Sequence, residues 1–365
     1  MDLHSFDSFT FFPGQHWGHT WERQHEIVTR FAQLLCDRDI YVSSPLGSIN
    51  HNPFSIDFFK RVLKYRISQK EVTEETGNPI LPNMKMTNAF HIPFHNTIIG
   101  KINYSLMKGA MGMGYNNFYW STYANPTLYE FFKASKFKVY DIAERRSHNP
   151  LLPQSIKDLE RKMVAEADVV FVDNHATMKD YKGLNPHMYY VPQGVNVESF
   201  YPLEDNREYI GYIGNLHFAI DYDYLEKLIV ANYREKFLII GSVMEKDADK
   251  ILKYENVTHI NQIPKSDLNK YLAKMKVGLI PYIKNEVTVG VYPTKLFEYI
   301  AAGVPVVSTS IPEVVQYAND SYLKIIDAPC DLSSVTFDMK GIEDVIAQNT
   351  WDQRWNNYLK MISIC

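Results

Sequence analysis

Lys295 and Glu298 stand three residues apart within GVYPTKLFEYIAAGVPVVSTS (290–310), a spacing that puts both on one face of a helix. Pro293 can open that helix at its first position. Gly303 fits the residue just past its end, and Pro305 follows where a helix cannot continue. Val304–Thr309 then reads as a buried strand. A helix N-terminus offers unpaired N–H groups and a partial positive charge, which suits a diphosphate. Lys295 would add a full positive charge there, and Glu298, one turn further in, could accept hydrogen bonds from a ribose diol. As a bare pattern, a capped helix with a Lys–Glu pair is equally an ordinary surface helix.

Other residues could do chemistry too. Gly211, Gly214 and Asn215 form a glycine loop that would let backbone approach phosphates, although any tight strand-to-helix turn looks the same. Asp221-Tyr222-Asp223 has the D-x-D spacing of a metal site, but Asp221 precedes an apolar helical run, where Asp is a natural N-cap. Asp141 and Glu144 follow a predicted strand, at the end where ligands of open α/β sheets gather. They could equally pair with Arg145 and Arg146. His16, His19 and His25 lie on or after the loop leaving the first strand. Gly109, Gly112 and Gly114 end a helix and make no dinucleotide fingerprint, and no P-loop, zinc spacing or nucleophile elbow is present.

The elements that position these groups follow from length and pattern. The chain has 365 residues, enough for two domains, since single cores stop growing at about 250–300 residues. It is 45% hydrophobic and 22% charged, a globular composition. A net charge of −4 gives no reason to expect a nucleic-acid partner. Residues 1–190 hold 21 Lys+Arg against 19 Asp+Glu, and the remainder 17 against 23, so the two parts differ in chemistry. Three distant cysteines, Cys36, Cys330 and Cys365, favour a reducing compartment. The N-terminus has no basic region followed by an apolar one, and no run approaches the ~20 apolar residues of a membrane span. A cytoplasmic protein is expected, or one held at the inner face of the cell membrane.

Continuous Val/Ile/Phe/Tyr runs, the mark of strands buried on both faces, fall near 8–12, 40–44, 117–123, 137–142, 169–173 and 188–192. A second set falls near 209–214, 237–241, 257–262, 277–281, 304–309 and 322–326. Helical patterns at 22–35, 155–167 and 265–274 supply the crossovers of βα units. A turn-rich stretch at 193–206 reads as a linker. The expected layout is therefore α/β, with one domain over 1–195, a second over 205–344, and a helical segment at 345–365 carrying Trp351, Trp355 and Leu359 back to the first. Ile98, Ile102, Leu106 and Met113, with Lys101 and Lys108, form a stripe that suits either a helix packed on its own sheet or a helix lying on an anionic membrane. Lys60, Arg61, Lys64 and Arg66 add a basic cluster, partly cancelled by Glu71, Glu74 and Glu75.

TKLFEYIAAGVPVVST resembles the donor-site signature of bacterial GT-B glycosyltransferases, especially those of teichuronic-acid-like, capsular and exopolysaccharide biosynthesis. ADVVFVDN (167–174), VPQGVNVESF (191–200), YIGYIGNLHFAIDYDYL (209–225), DLNKYLAKMKVGLIPY (267–282) and WDQRWNNYL (351–359) fit in the same order. WERQHEIVTRFA (21–32) and KVYDIAERR (138–146) fit more loosely. The resemblance implies two Rossmann-like domains with parallel sheets facing across a cleft and a C-terminal helix crossing back. It implies transfer of a sugar from a nucleoside-diphosphate sugar, UDP-linked, to a saccharide or lipid-linked saccharide hydroxyl in surface polysaccharide biosynthesis. It assigns Gly214, Asn215, Ile263, Pro281, Tyr292, Thr294, Lys295 and Glu298 to the donor. Asp141 or Glu144 would be the catalytic base, and His16, Arg23 and His25 would lie on the acceptor side. No metal or other cofactor is expected, since Lys295 and the helix N-terminus meet the leaving-group charge. Reversible association with an anionic membrane would bring a lipid-linked acceptor within reach.

Two departures stand out. The position eight before Glu298 is Gly290, where large retaining families carry a second acid, and this leaves inversion or retention open. Gln193 and Asn196 stand where Asn and Asp are commoner. A UDP-sugar 2-epimerase of the same fold and a non-enzymatic two-lobed sugar-binding protein are the alternatives.

Overall fold

The computed structural model describes residues 1–17, 21–46, 79–93, 96–200, 207–264 and 267–364. Two compact units divide it, one of Met1–Val191 with Trp355–Cys365 and one of Pro192–Arg354. His19 and the cluster Lys60, Arg61, Lys64 and Arg66, with Glu71, Glu74 and Glu75, lie outside the described residues.

The first unit contains β1 (Ser8–Phe12), β2 (Ile40–Ser43), β3 (Met84–Thr87), β4 (Asn117–Ser121), β5 (Phe137–Ile142), β6 (Val169–Val172) and β7 (Met188–Tyr190). All pairings are parallel, in spatial order β3-β2-β1-β4-β5-β6-β7. Its longer helices are α1 (Arg23–Leu34), α2 (Thr97–Met107), α3 (Pro126–Ala134) and α4 (Gln154–Glu166). Every residue of β1 and β4 is buried, as their aromatic-rich sequences, SFTFF and NFYWS, require of a sheet covered on both faces. Phe9 pairs with Phe118, and Phe118 stacks on Phe137 at 5.6 Å. Each such ring contributes roughly 1.5–3 kcal/mol on leaving water. Helix α1 turns Ile27, Val28 and Phe31 inward, and Phe31 meets Phe11 at 5.2 Å.

The second unit has β8 (Tyr209–Ile213), β9 (Lys236–Ile240), β10 (Val257–Ile260), β11 (Met275–Ile280), β12 (Val306–Ser308) and β13 (Leu323–Ile325), in order β10-β9-β8-β11-β12-β13. These too are parallel throughout. Its longer helices are α5 (Tyr222–Ala231) and α6 (Thr294–Ala301).

Each strand read from an apolar run is present, within two residues or so of its expected ends. Strand β3, MKMT, went unread because it holds a lysine and no β-branched residue but Thr87. The last helix, α7 (Trp351–Ile364), begins in the second unit and continues into the first. There Trp355 meets Phe31 edge-on at 4.9 Å, and Tyr358 meets Phe171 at 4.5 Å. The buried residues beyond Trp351 are Arg354, Tyr358 and Ile362, not Leu359, which is half-buried.

Candidate active site

In the second sheet the strand order reverses between β8 and β11, and ligands of open α/β sheets gather at the C-terminal strand ends beside such a reversal. The loops leaving these two strands carry Gly214–Asn215 and Pro281–Tyr282. Helix α6 delivers Lys295 to the same place. Tyr299, one turn on, anchors the helix: its hydroxyl accepts from the Ile213 N–H at 2.9 Å, and its ring lies where a Cβ on Gly278 would sit at 2.7 Å.

Gly214 is required by two constraints. Its φ of +144° is one that L side chains rarely adopt, and a Cβ would approach Lys295 Cε to 2.4 Å. Lys295 thus crosses directly over the loop. Its Nζ donates to the Tyr282 hydroxyl at 3.0 Å and lies 5.9 and 5.7 Å from the Tyr212 and Tyr282 ring centres. Burial alone would lower its pKa, but Tyr282 and then Glu298 raise it above the ordinary lysine value. The ammonium is charged at neutral pH, and one of its three protons is engaged by Tyr282.

His217, which sequence reasoning missed, lies on the loop leaving β8. Its Nδ1 accepts from the Ala219 N–H at 3.1 Å, so the neutral ring carries its proton on Nε2. Burial, then the charge of Lys295, lowers its pKa. The ring is therefore a neutral donor beside a fixed cation. Nothing in the motif GNLHF marks this residue; the signal is its distance in space from Lys295, 78 positions along the chain.

The other donor-side assignments divide. Asn215 is exposed, and its Oδ1 accepts from the Ser242 N–H at 3.3 Å. The Pro281 carbonyl accepts from the Asp221 N–H at 2.8 Å, joining the two loops. Thr294 and Glu298 are half-buried on α6. Pro293 proves to be the N-cap instead of the first helical residue, with no side chain capping the end. Gly303 adopts φ +69° past the C-cap, as its position required. Ile263 is half-buried at the rim of the second core. Tyr292 is a core residue, stacked on Phe297 at 5.8 Å with its hydroxyl 3.3 Å from that of Tyr317.

Asp221 caps α5 by accepting from the Tyr224 N–H at 2.9 Å. Asp223 is exposed and pairs with Lys250 at 2.9 Å. The two carboxylates therefore serve separate local contacts. Among the described residues no three His, Cys, Asp or Glu side chains gather as a metal site.

The first unit places its assigned residues differently. Asp141 is fully buried at the end of β5, and both its oxygens accept from Arg23, the nearest contact being 2.7 Å. Arg23 also donates to the Val191 carbonyl and lies 5.3 Å from the Tyr358 ring centre. Both charges are used inside the unit, so Arg23 presents no free guanidinium and Asp141 no reachable carboxylate. His25 is likewise interior: Nδ1 accepts from the Glu22 N–H at 3.0 Å, and Nε2 lies 3.1 Å from the His16 carbonyl. It closes a capping box with Glu22 at the start of α1. His16 is half-buried and holds this contact through its backbone. Glu144 is different. Its side chain is 62% exposed, 3.6 Å from Arg146, while Arg145 pairs with Asp180.

Residues 207–336 match the model of the glycosyl transferases group 1 family. TuaH of Bacillus subtilis (strain 168), provisionally named a teichuronic acid biosynthesis glycosyltransferase, is 24% identical over 145 residues, 38% of this chain. The match spans 35% of TuaH, so this chain covers about a third of that relative's length. Among solved structures, sucrose-phosphate synthase from Thermosynechococcus elongatus superposes with a TM-score of 0.68 at 13% identity, covering 98% of this chain and 100% of its own. HepE from Anabaena, solved with UDP, gives 0.67 at 11% identity, with the same coverage. TarM from S. aureus, in a complex that includes UDP, gives 0.61 at 12%, covering 97% and 99%. The chain has the two-sheet GT-B fold that these structures share, and residues 207–336 carry its match to the group 1 domain.

Proposed function

We propose that this protein transfers a sugar from a UDP-sugar to a hydroxyl of a saccharide or lipid-linked saccharide in surface polysaccharide biosynthesis. The observation that carries this reading is the convergence of a charged, half-buried Lys295 and the Gly214 loop at the switch point of the second sheet. The HepE structures with UDP and with UDP-glucose support the choice of nucleotide.

In the reaction the bond from the anomeric carbon to the phosphate oxygen breaks, and the acceptor oxygen takes its place. The departing diphosphate gains charge, which the Lys295 ammonium and the His217 Nε2–H are placed to meet. Their positions are fixed beforehand by Tyr282 and by the Ala219 amide, so little reorganisation is needed. If the sugar inverts, the acceptor proton goes to a carboxylate of the first unit, and Glu144 suits that role because it is exposed. The reaction runs without a metal ion at the inner face of the cell membrane.

Incubation with UDP-glucose in EDTA tests the reading. Slow UDP release that quickens with a saccharide acceptor is the expected result. A strict requirement for Mn²⁺ or Mg²⁺ would return Asp221 and Asp223 to consideration as ligands. Conversion of the sugar to its 2-epimer would mark an epimerase, and binding with no UDP release a sugar-binding protein.

A further inference from the structure

Arg145 and Arg146 follow β5 side by side and are used in opposite ways. Arg145 is bidentate to Asp180: its Nε and Nη2 donate to the two carboxylate oxygens at 2.8 and 2.9 Å, which commits its charge to the fold. Arg146 is 20% exposed, and among the described residues its guanidinium has one carboxylate within reach, that of Glu144 at 3.6 Å. That separation is too long for a hydrogen bond, so the N–H donors of Arg146 are left for another partner. Burial opposes its charge, but Glu144, Tyr140 and Glu160 hold its pKa above the ordinary arginine value. Burial also pushes the Glu160 carboxyl up to about 7, so below neutral pH this second acid does not cancel the guanidinium.

The position of Arg146 is where a ligand of this sheet belongs. Strand order in the first sheet reverses between β1 and β4, the kind of switch point that holds Lys295 in the second. Gly14, on the loop leaving β1, donates its N–H to Thr122 Oγ1, on the loop leaving β4, at 2.8 Å. A Cβ on Gly14 would lie 3.1 Å from Thr122 Oγ1, 3.6 Å from Arg146 Nη2 and 3.7 Å from Tyr123 Cδ1. Loops from β1, β4 and β5 thus meet around one guanidinium, and a side chain at Gly14 would fill the space beside it. The Tyr123 ring centre is 5.7 Å from Arg146, and its hydroxyl accepts from the Leu46 N–H at 2.8 Å.

We propose that Arg146 binds an oxyanion of the acceptor, which is therefore a saccharide carrying a carboxylate or a phosphate. The planar fork of a guanidinium matches either group with two parallel N–H donors, and the Tyr123 ring, itself fixed by Leu46, keeps that fork oriented. The ligand's role as acceptor rests on the transfer reaction proposed above; the anion site does not. Glu144, the base of that reaction, is 3.6 Å from Arg146, so an acidic sugar anchored on the arginine brings its own ring hydroxyls beside that carboxylate. A neutral saccharide would leave the charge of Arg146 without a partner.

The test is a ligand-observed NMR titration of the full chain, just below neutral pH, with methyl β-glucuronoside, glucose 1-phosphate and, as the uncharged control, methyl β-glucoside. Wild type should bind at least one charged sugar roughly tenfold or more tighter than the neutral one, and the preference should shrink as salt rises. The two charged arms show whether the fork takes a carboxylate or a phosphate. Arg146→Gln should abolish the preference at an unchanged melting temperature. Arg146→Lys keeps the charge without the fork and should retain only part of it. Equal binding of all three sugars, or of none, overturns the proposal, as does a full preference in both variants. Loss of the preference on adding UDP would place the anion at the donor loop and overturn it too. Binding of UDP to wild type is measured in parallel: its absence would refute the donor reading and leave the anion site standing.

Discussion

Each unit has one cation at the C-terminal side of its sheet that sequence reasoning assigned to a ligand, and the structure uses the two in opposite ways. Arg23 is 1% exposed and gives its donors to Asp141 and the Val191 carbonyl, with Tyr358 against its face. Lys295 is half-buried and makes one hydrogen bond, to a phenol that moves its pKa upward. A guanidinium bidentate to a carboxylate holds a fold together. An ammonium held over a glycine loop keeps its charge for something that arrives. The comparison teaches that residue type and position in an α/β sheet do not separate binding from architecture; the partners already present do.

The largest expected effect is on the architectural side. Arg23→Ala leaves Asp141 charged and buried, and should cost on the order of 3–5 kcal/mol of stability by chemical denaturation. A loss below about 1 kcal/mol, with impaired acceptor use instead, would move Arg23 back to the acceptor side.

Glu160 sharpens the same contrast within the first unit. Burial, opposed by Arg146 and by the hydrogen bond from Tyr140, pushes its carboxyl up to about 7. A folded pKa above the unfolded value means that the folded state holds its proton longer. Stability should therefore fall as pH rises from about 4.5 through 7. Glu160→Gln should remove that slope and gain roughly 1–3 kcal/mol at alkaline pH. Parallel pH–stability curves for the two proteins would contradict it.

The smallest effect belongs to His217. Its pKa is lowered by burial and by Lys295, and a bound diphosphate would raise it again. Binding then takes up a proton, so UDP-glucose affinity should strengthen as pH falls across the histidine range. His217→Gln should weaken binding about two- to tenfold and flatten the profile. A profile unchanged in the variant would remove His217 from the site.

Much of this was legible in the residues themselves. Strands buried on both faces announce themselves as apolar runs, and Pro293, Gly303 and Pro305 bracket α6 closely enough to place Lys295 on its first turn. Pairings across the chain were not legible. Arg23 and Asp141 are 118 residues apart, and each alone looks like a polar residue at a strand or helix end. His217 and Tyr282 reach Lys295 only because β8 and β11 become neighbours. The stripe of α2 was legible as apolar but not as inward- or outward-facing, because Gly100 and Asn103 carry no sign in the sequence that they form the docking face.

The central claim, that Lys295 is a ligand-facing cation, is tested most directly by calorimetric titration of UDP-glucose in EDTA into wild type and Lys295→Ala. The account predicts binding to wild type and a loss of about 1.5–3 kcal/mol in the variant, tenfold or more in affinity, with an unchanged melting temperature. Equal affinity in the two proteins would contradict it.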